Sequence, residues 1–438
     1  MNGVIGAIGH YCLPEMEKVW SDENRFQQML QVELYVCEAM KDMGRLDKAS
    51  YDEIVDKAGF DLQRIKELEN VTKHDVAAFL QAVTECVGEE NARNLHCGMA
   101  ASDVLDTAMA VQMRQAVDLL LGKLYHMRDL LSDLARKHKY TLMVGRSHGI
   151  HAEPMSFGLK MVVWLNEIER TVRRLQSARY AVAVGKISGA VGAYAHIDPF
   201  VEEHVCRRLD LRPATAASQI LQRDRHAELL LSLALLGSTL DKFATDIRTL
   251  ERTEIAEVYE PLEAGAVASS ALPHKVNPVK AESISGLARV LRGNAMAALE
   301  NVPLWDERDM THSSAENIII RDSCLLADYM IQMMLDTLSN IEVNREQMEN
   351  NLDMTRGLIF SQRVLMALME HGALREQAYD IVQRNAAAAH RDKTDFAYYL
   401  LQDPEFMSYV SIDELDSLFD YEYYMKNLDY IYRRVGIF

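Results

Sequence analysis

The sequence predicts an all-α protein built around long helices, and three observations carry that expectation. The nine prolines leave wide gaps, from Pro14 to Pro154, Pro213 to Pro261 and Pro303 to Pro404. A proline inside a helix costs about 3 kcal/mol, so gaps of this length suit long helices. Apolar residues then recur at about 3.6-residue spacing. Val117, Leu120, Leu121, Leu124, Met127, Leu131 and Leu134 keep one face; Leu165, Ile168, Val172 and Leu175 keep another; Leu233, Leu236, Leu240, Phe243, Ile247 and Leu250 keep a third. Alternating strand patterns are scarce. Helices of about 30 residues packed side by side make a long bundle.

Local signals mark the elements in chain order. Ser21 before "DENRF" caps a first long helix, and Gly44 comes after its last turn. Thr72 before "KHDVAAF" and Ser102 before "DVLDTAM" read as further N-caps. The apolar run "LLLSLALL" at Leu229–Leu236 is far short of the ~20 residues of a membrane span, so it belongs to a core helix. Asn277 precedes Pro278, the preferred first helical position for proline. The chain has 438 residues, 49% of them hydrophobic. That exceeds one compact domain of roughly 100–200 residues. Three helical domains are expected: residues 1–101, a long-helix bundle over 102–350, and a more polar and aromatic domain over 351–438.

Formal net charge is −18. That balance opposes binding to nucleic acid or to an anionic membrane surface, yet allows an anionic small molecule at a locally positive site. Cys12, Cys37, Cys86, Cys97, Cys206 and Cys324 form no C-x-x-C pair and lie in apolar helical patterns, so buried free thiols are expected. No basic-then-apolar leader stands at the N-terminus, which predicts a cytoplasmic protein.

Four segments are wrong for plain structural helix: "VTKHDVAAF", "HCGMAASDVLDTA", "GRSHGIHAEP" and "LEAGAVASSALPHKVNP". His74 is expected in a helix first turn, where outward N–H groups favour anions and a neutral imidazole. His148 and His151 flank Gly149 in a loop. No third ligand stands at a zinc spacing, so no metal is expected, and a loop histidine is a reasonable general acid. The segment from Leu262 to Leu272 is rich in small residues, as a closing lid would be. Lys275 and Asn277 then lead to a helix start, where a cation, an amide and open backbone N–H groups would make a carboxylate site. Phosphate-binding, dinucleotide and nucleophile-elbow motifs are missing.

"SSALPHKVNP" resembles the signature loop of the fumarase/aspartase superfamily, Gly-Ser-Ser-x-Met-Pro-x-Lys-x-Asn-Pro. "KHDVAAF", "GRSHGIHAEPMSFGLK", "SGAVGAYAHIDPF", "SQILQRDRHA", "GLARVLRG", "ENVPLWDERDMTHSSAE" and "GLIFSQRV" resemble its adenylosuccinate lyase branch, in order and over essentially the whole chain. The resemblance implies an all-α homotetramer with each active site built from three subunits, no cofactor, and anti β-elimination of fumarate from an N-succinyl substrate. It implies Ser269 as the base that removes the Cβ proton and His148 as the acid on the leaving nitrogen. Glu282 would orient that histidine, and Lys275 and Asn277 would hold a substrate carboxylate. His74 and His96 would be further active-site histidines, Gln219 a substrate contact, and Arg308 and Ser313 phosphate contacts. Tyr11, Lys73, Asp75, Ser102, Asp103, Ser147 and Ser270 complete the implied substrate-binding set.

The chain departs from that branch in a pattern. His10-Tyr11-Cys12 replaces Arg-Tyr-Ser, Lys73 replaces arginine, and Ala100-Ala101 replace Thr-Ser. Asn317 replaces an arginine four residues after Ser313, and the loop has Ala268 for glycine and Leu272 for methionine. Charged hydrogen bonds are worth about 1.5–3 kcal/mol each, so losing two guanidiniums would cost roughly 10²–10⁴ in affinity. Three readings stand side by side. One is elimination from adenylosuccinate with a rebuilt phosphate site. Another is a paralogue acting on a different substituted succinate, with or without a phosphate. The last is a non-catalytic helical scaffold, against which the intact Ser269, His148 and Lys275 argue.

Overall fold

The computed structural model of the chain describes residues 7–261, 272 and 274–437. The helices that matter for the site are α1 (Asp22–Asp42), α2 (Leu62–Thr72), α3 (Asp75–Val87), α4 (Ala101–Lys137), α5 (Phe157–Val182), α6 (Asp224–Leu250), α7 (Val279–Glu300) and α8 (Thr311–Ser339). Among the described residues, strands are confined to three two-stranded sheets: β1 (Leu142–Ser147) with β2 (Ile150–Ser156), β3 (Val184–Gly185) with β4 (Arg212–Pro213), and β5 (Val258–Tyr259) with β6 (Glu342–Val343). The fold class is all-α, as the periodicity predicts. Every residue of the three apolar stripes is buried, on α4, α5 and α6.

The chain forms two compact units. One comprises Met1–His126, Arg170–Lys242 and Ser283–Met334; the other comprises Met127–Glu169, Phe243–Glu282 and Leu335–Phe438. Each boundary falls inside one of the helices α4 to α8. In the first unit, Phe26 of α1 stacks on Phe79 of α3 at 5.8 Å, and an apolar cluster runs from α1 through α3 to the start of α4. In the second unit, Trp164 stacks on Phe243 at 4.3 Å, and Val364, Leu368, Phe396, Phe406 and Leu415 centre a separate core.

Ser21 caps α1, its side chain accepting from the Asn24 N–H, and Gly44 ends it at φ +72°. Two expected caps differ. Thr72 closes α2, and His74 is the N-cap of α3, its side chain accepting from the Ala77 N–H. Helix α4 already begins at Ala101, and the Ser102 hydroxyl donates to the Gln219 carbonyl at 2.6 Å instead of capping. The thiols divide as well. Cys37, Cys206 and Cys324 are buried, Cys12 is half-buried, and Cys86 and Cys97 are exposed, against the expectation of burial. No helix among the described residues is long and apolar enough to cross a membrane.

Candidate active site

The second unit carries His148 on a β-hairpin, where the sequence suggests a loop. Ser147 pairs with Ile150, so His148 and Gly149 alone make the turn, at φ +55° and +77°. Two positive φ values in a two-residue connection define a type I′ turn. Ser147 and His148 stand exposed at its tip. The hairpin is clamped one residue pair from its turn. Arg146 donates to both oxygens of Glu257, at 3.0 and 2.6 Å, and fully buried Glu257 also accepts from Asn351 at 2.8 Å. Burial, then the Arg146 charge, push the His151 imidazole down, against the pull of Glu257.

Ser269 and Ser270 lie outside the described residues. Lys275 and Asn277 are described; they precede α7, and the Lys275 N–H donates to the Leu272 carbonyl at 2.9 Å. The expected open N–H groups at this helix start are not open. The Lys280 and Ala281 N–H groups donate to the two oxygens of Glu260, at 3.1 and 3.0 Å. The Val279 and Glu282 N–H groups bond the carbonyls of Asn277 and Pro278, both at 2.9 Å. From Val279 to Glu282, this helix start therefore leaves no backbone N–H open.

Behind Glu260 stands Glu251, which accepts from the Glu260 N–H at 3.1 Å and has a second oxygen buried without a partner. Burial, then the charges of Glu260 and Glu282, push Glu251 up to about 7. Glu282 is exposed in the first turn of α7. Neither its side chain nor that of His148 has a hydrogen-bond partner among the described residues of one chain.

The first unit carries the other expected residues. Lys73 (φ +53°) turns the chain from α2 into α3, so His74 presents its imidazole at a helix start. With Nδ1 accepting from Ala77 at 3.3 Å, the ring proton of neutral His74 sits on Nε2. Asp75 is ion-paired to Arg25. His96 is held on a fully buried carboxylate: both its N–H and its Nδ1 meet Glu33, at 2.9 and 2.8 Å. Burial opposes the His96 charge, but the bond to Glu33 and its charge outweigh that, and the imidazole is raised.

Asp103 is fully buried and occupied by donors. The Ala100, Ser188 and Gly189 N–H groups reach it at 2.8, 3.1 and 3.1 Å, and the buried Lys186 ammonium closes the set. Its role inside the chain is to fix the 186–189 segment. Next to it, the Ser102 bond to the Gln219 carbonyl and the Asp106 bond to the Leu221 N–H (2.8 Å) lock the strip that presents Gln219. The Ser218 hydroxyl donates to the Glu307 carbonyl at 2.9 Å, tying that strip to the segment bearing Arg308. Arg308 has a buried Nε without a partner, and one Nη contacts Met310 Sδ at 3.4 Å. Asp309 caps α8 ahead of Ser313 and holds the Trp305 N–H at 2.7 Å; the Thr311 hydroxyl, then the Trp305 and Thr311 N–H groups, bring it down to about 2. Trp305 itself is 82% exposed.

Below Ser313, buried Glu316 accepts from Nδ1 of both His226 and His312 at 2.8 Å and pairs with Arg223, which also grips Asp106. These contacts hold its carboxyl far below the usual range despite burial. Sequence reasoning misses Glu33, Glu257, Glu260 and Glu316. For Glu33 a signal exists: it occupies a core position of α1 between Met29, Leu30, Val36 and Cys37. Among the described residues no cluster of three or more His, Cys, Asp or Glu is arranged to hold a metal.

A long-helix fold carrying a turn-borne histidine and a Lys-x-Asn-Pro segment ahead of a helix defines the class: a lyase of the fumarase/aspartase superfamily. A family model described as "Lyase" matches residues 10–293, and one described as "Adenylosuccinate lyase C-terminus" matches residues 357–435. The chain belongs to the adenylosuccinate lyase family. It is 46% identical over 430 residues to the adenylosuccinate lyase of Bacillus subtilis, covering 98% of this chain and 100% of that one. It is likewise 46% identical over 431 residues to that of Synechocystis, with 98% and 100% covered. Its structure superposes on the crystal structure of a fumarate lyase from Mesorhizobium with a TM-score of 0.89 at 27% identity, covering 97% of this chain and 98% of that one.

Proposed function

We propose that this chain catalyses anti β-elimination of fumarate from adenylosuccinate, giving AMP, and the same step on the succinyl-carboxamide nucleotide of purine biosynthesis. The observation that carries this reading is the retention of Ser269, His148, Lys275, Asn277 and Glu282 in a chain 46% identical to adenylosuccinate lyases end to end. In the proposed step Ser269 takes the Cβ proton. The electron pair passes first into the neighbouring carboxylate and then expels the nitrogen as the C–N bond breaks. His148 gives that nitrogen its proton. A carbon acid beside a carboxylate is weak, so Lys275 and Asn277 neutralise the charge that doubles there. Serine needs desolvation and a nearby cation to act as a base. Acid catalysis on the leaving amine contributes about 10²–10⁴-fold.

Within one chain Glu282 does not bond His148, which fits a site completed between subunits of a homotetramer. We place the enzyme in the cytoplasm with a nucleotide as its small-molecule partner. The test is incubation with adenylosuccinate, monitoring AMP and fumarate by chromatography, with Ser269→Ala as the control. Turnover abolished in the variant supports the reading. A wild type that leaves adenylosuccinate untouched transfers it to another substituted succinate, the alternative that His10, Ala100, Ala101 and Asn317 favour.

A further inference from the structure

We propose that Arg321, one helical turn beyond Asn317 on α8, is a specificity-determining residue that binds the phosphate of the nucleotide. The inference rests on the adenylosuccinate reading. Helix α8 buries His312, Glu316, Ile319 and Ile320 and exposes Ser314, Asn317, Ile318 and Arg321. Asn317 and Arg321 are therefore stacked neighbours, four residues apart on one face. Helical side chains lean toward the N-terminus, so the Arg321 guanidinium covers the surface over Asn317, on the side of Ser313.

The N-terminal segment comes to this same helix. Tyr11 packs edge-on against Tyr329 at 5.6 Å, two turns beyond Arg321. Burial and Glu17 push the Cys12 thiol up, while Arg321 pulls it back, so the guanidinium acts on the segment that carries His10 and Tyr11. Asp322 beside it, raised by burial, is eased by the same charge. The Arg321 side chain nevertheless makes no hydrogen bond or ion pair among the described residues, in a chain with 65 acidic side chains. A guanidinium forks onto two phosphate oxygens. Positions 10 and 317 hold no guanidinium, and Arg321 supplies one at the level of 317 from a single turn away.

The experiment compares Arg321→Ala with wild type on adenylosuccinate and on its dephosphorylated nucleoside. A charged hydrogen bond predicts KM for the nucleotide rising about 10–100-fold with kcat nearly kept, and the loss confined to the phosphorylated substrate. Asn317→Arg added to Arg321→Ala then recovers most of the KM. Equal losses on both substrates, or an unchanged KM, overturn the assignment. A wild type inactive on the nucleotide overturns the underlying reading, and with it this inference; only an active wild type with an indifferent Arg321 sinks the inference alone.

Discussion

Glu33 sets the state of His96. The pair joins α1 to the segment just before α4, and its carboxylate is fully buried. Because the folded imidazole is raised, the pair stabilises the fold fully below the unfolded histidine value of about 6.5 and loses that contribution as pH rises through the folded value. Glu33→Gln is therefore expected to lower unfolding free energy by about 1–3 kcal/mol at pH 6 and by less at pH 8.5, measured by urea melts at the two pH values. A loss independent of pH would assign the effect to packing alone. The sequence makes His96 legible and hides Glu33. A histidine in a turn just ahead of Gly98 advertises chemistry, whereas one glutamate in an apolar stripe is outvoted by its neighbours, and its partner is 63 residues away.

The long helices are legible because their period repeats over many turns. The hairpin β1–β2 is not, for a local reason. A bulge between Val144 and Arg146 breaks the alternation, and a Cβ on Gly145 would stand 2.8 Å from the Glu153 carbonyl. The surviving signal is His148-Gly149, a dipeptide able to take two positive φ values. Gly149→Ala places a Cβ at φ +77° and is expected to cost about 1–2 kcal/mol of stability. Its kcat should fall further than its KM rises, since the turn aims His148. A second element-level expectation concerns α7. Glu260→Ala removes the acceptor for two first-turn N–H groups, costing about 0.5–2 kcal/mol, and should lower turnover by loosening Lys275 and Asn277. Thermal melts and steady-state kinetics on the same preparations check both variants.

For the molecule as a whole, fold class and family are readable from end to end. The two compact units are not, because their boundaries lie inside helices whose apolar stripes continue unbroken. The proposed tetramer entails shared sites. Mixing inactive His148→Gln and Ser269→Ala proteins under conditions of subunit exchange should restore activity, and persistent inactivity would place the two groups on one chain's site. Global stability should also carry the mark of Glu251. A carboxyl raised from 4.5 to about 7 binds its proton more tightly when folded, so stability falls as pH rises from 4.5 to 7. Glu251→Gln should flatten that fall in denaturation curves, and an unchanged slope would show the carboxyl to be paired in solution.

The chain has three tryptophans. Trp164 is sealed against Phe243, Trp20 is half-buried, and Trp305 stands in water three residues before Arg308. The red edge of the protein's fluorescence therefore belongs to one indole at the proposed phosphate end of the site. Its quenching or blue shift would report occupancy optically in variants such as Ser269→Ala, where no product forms to be counted.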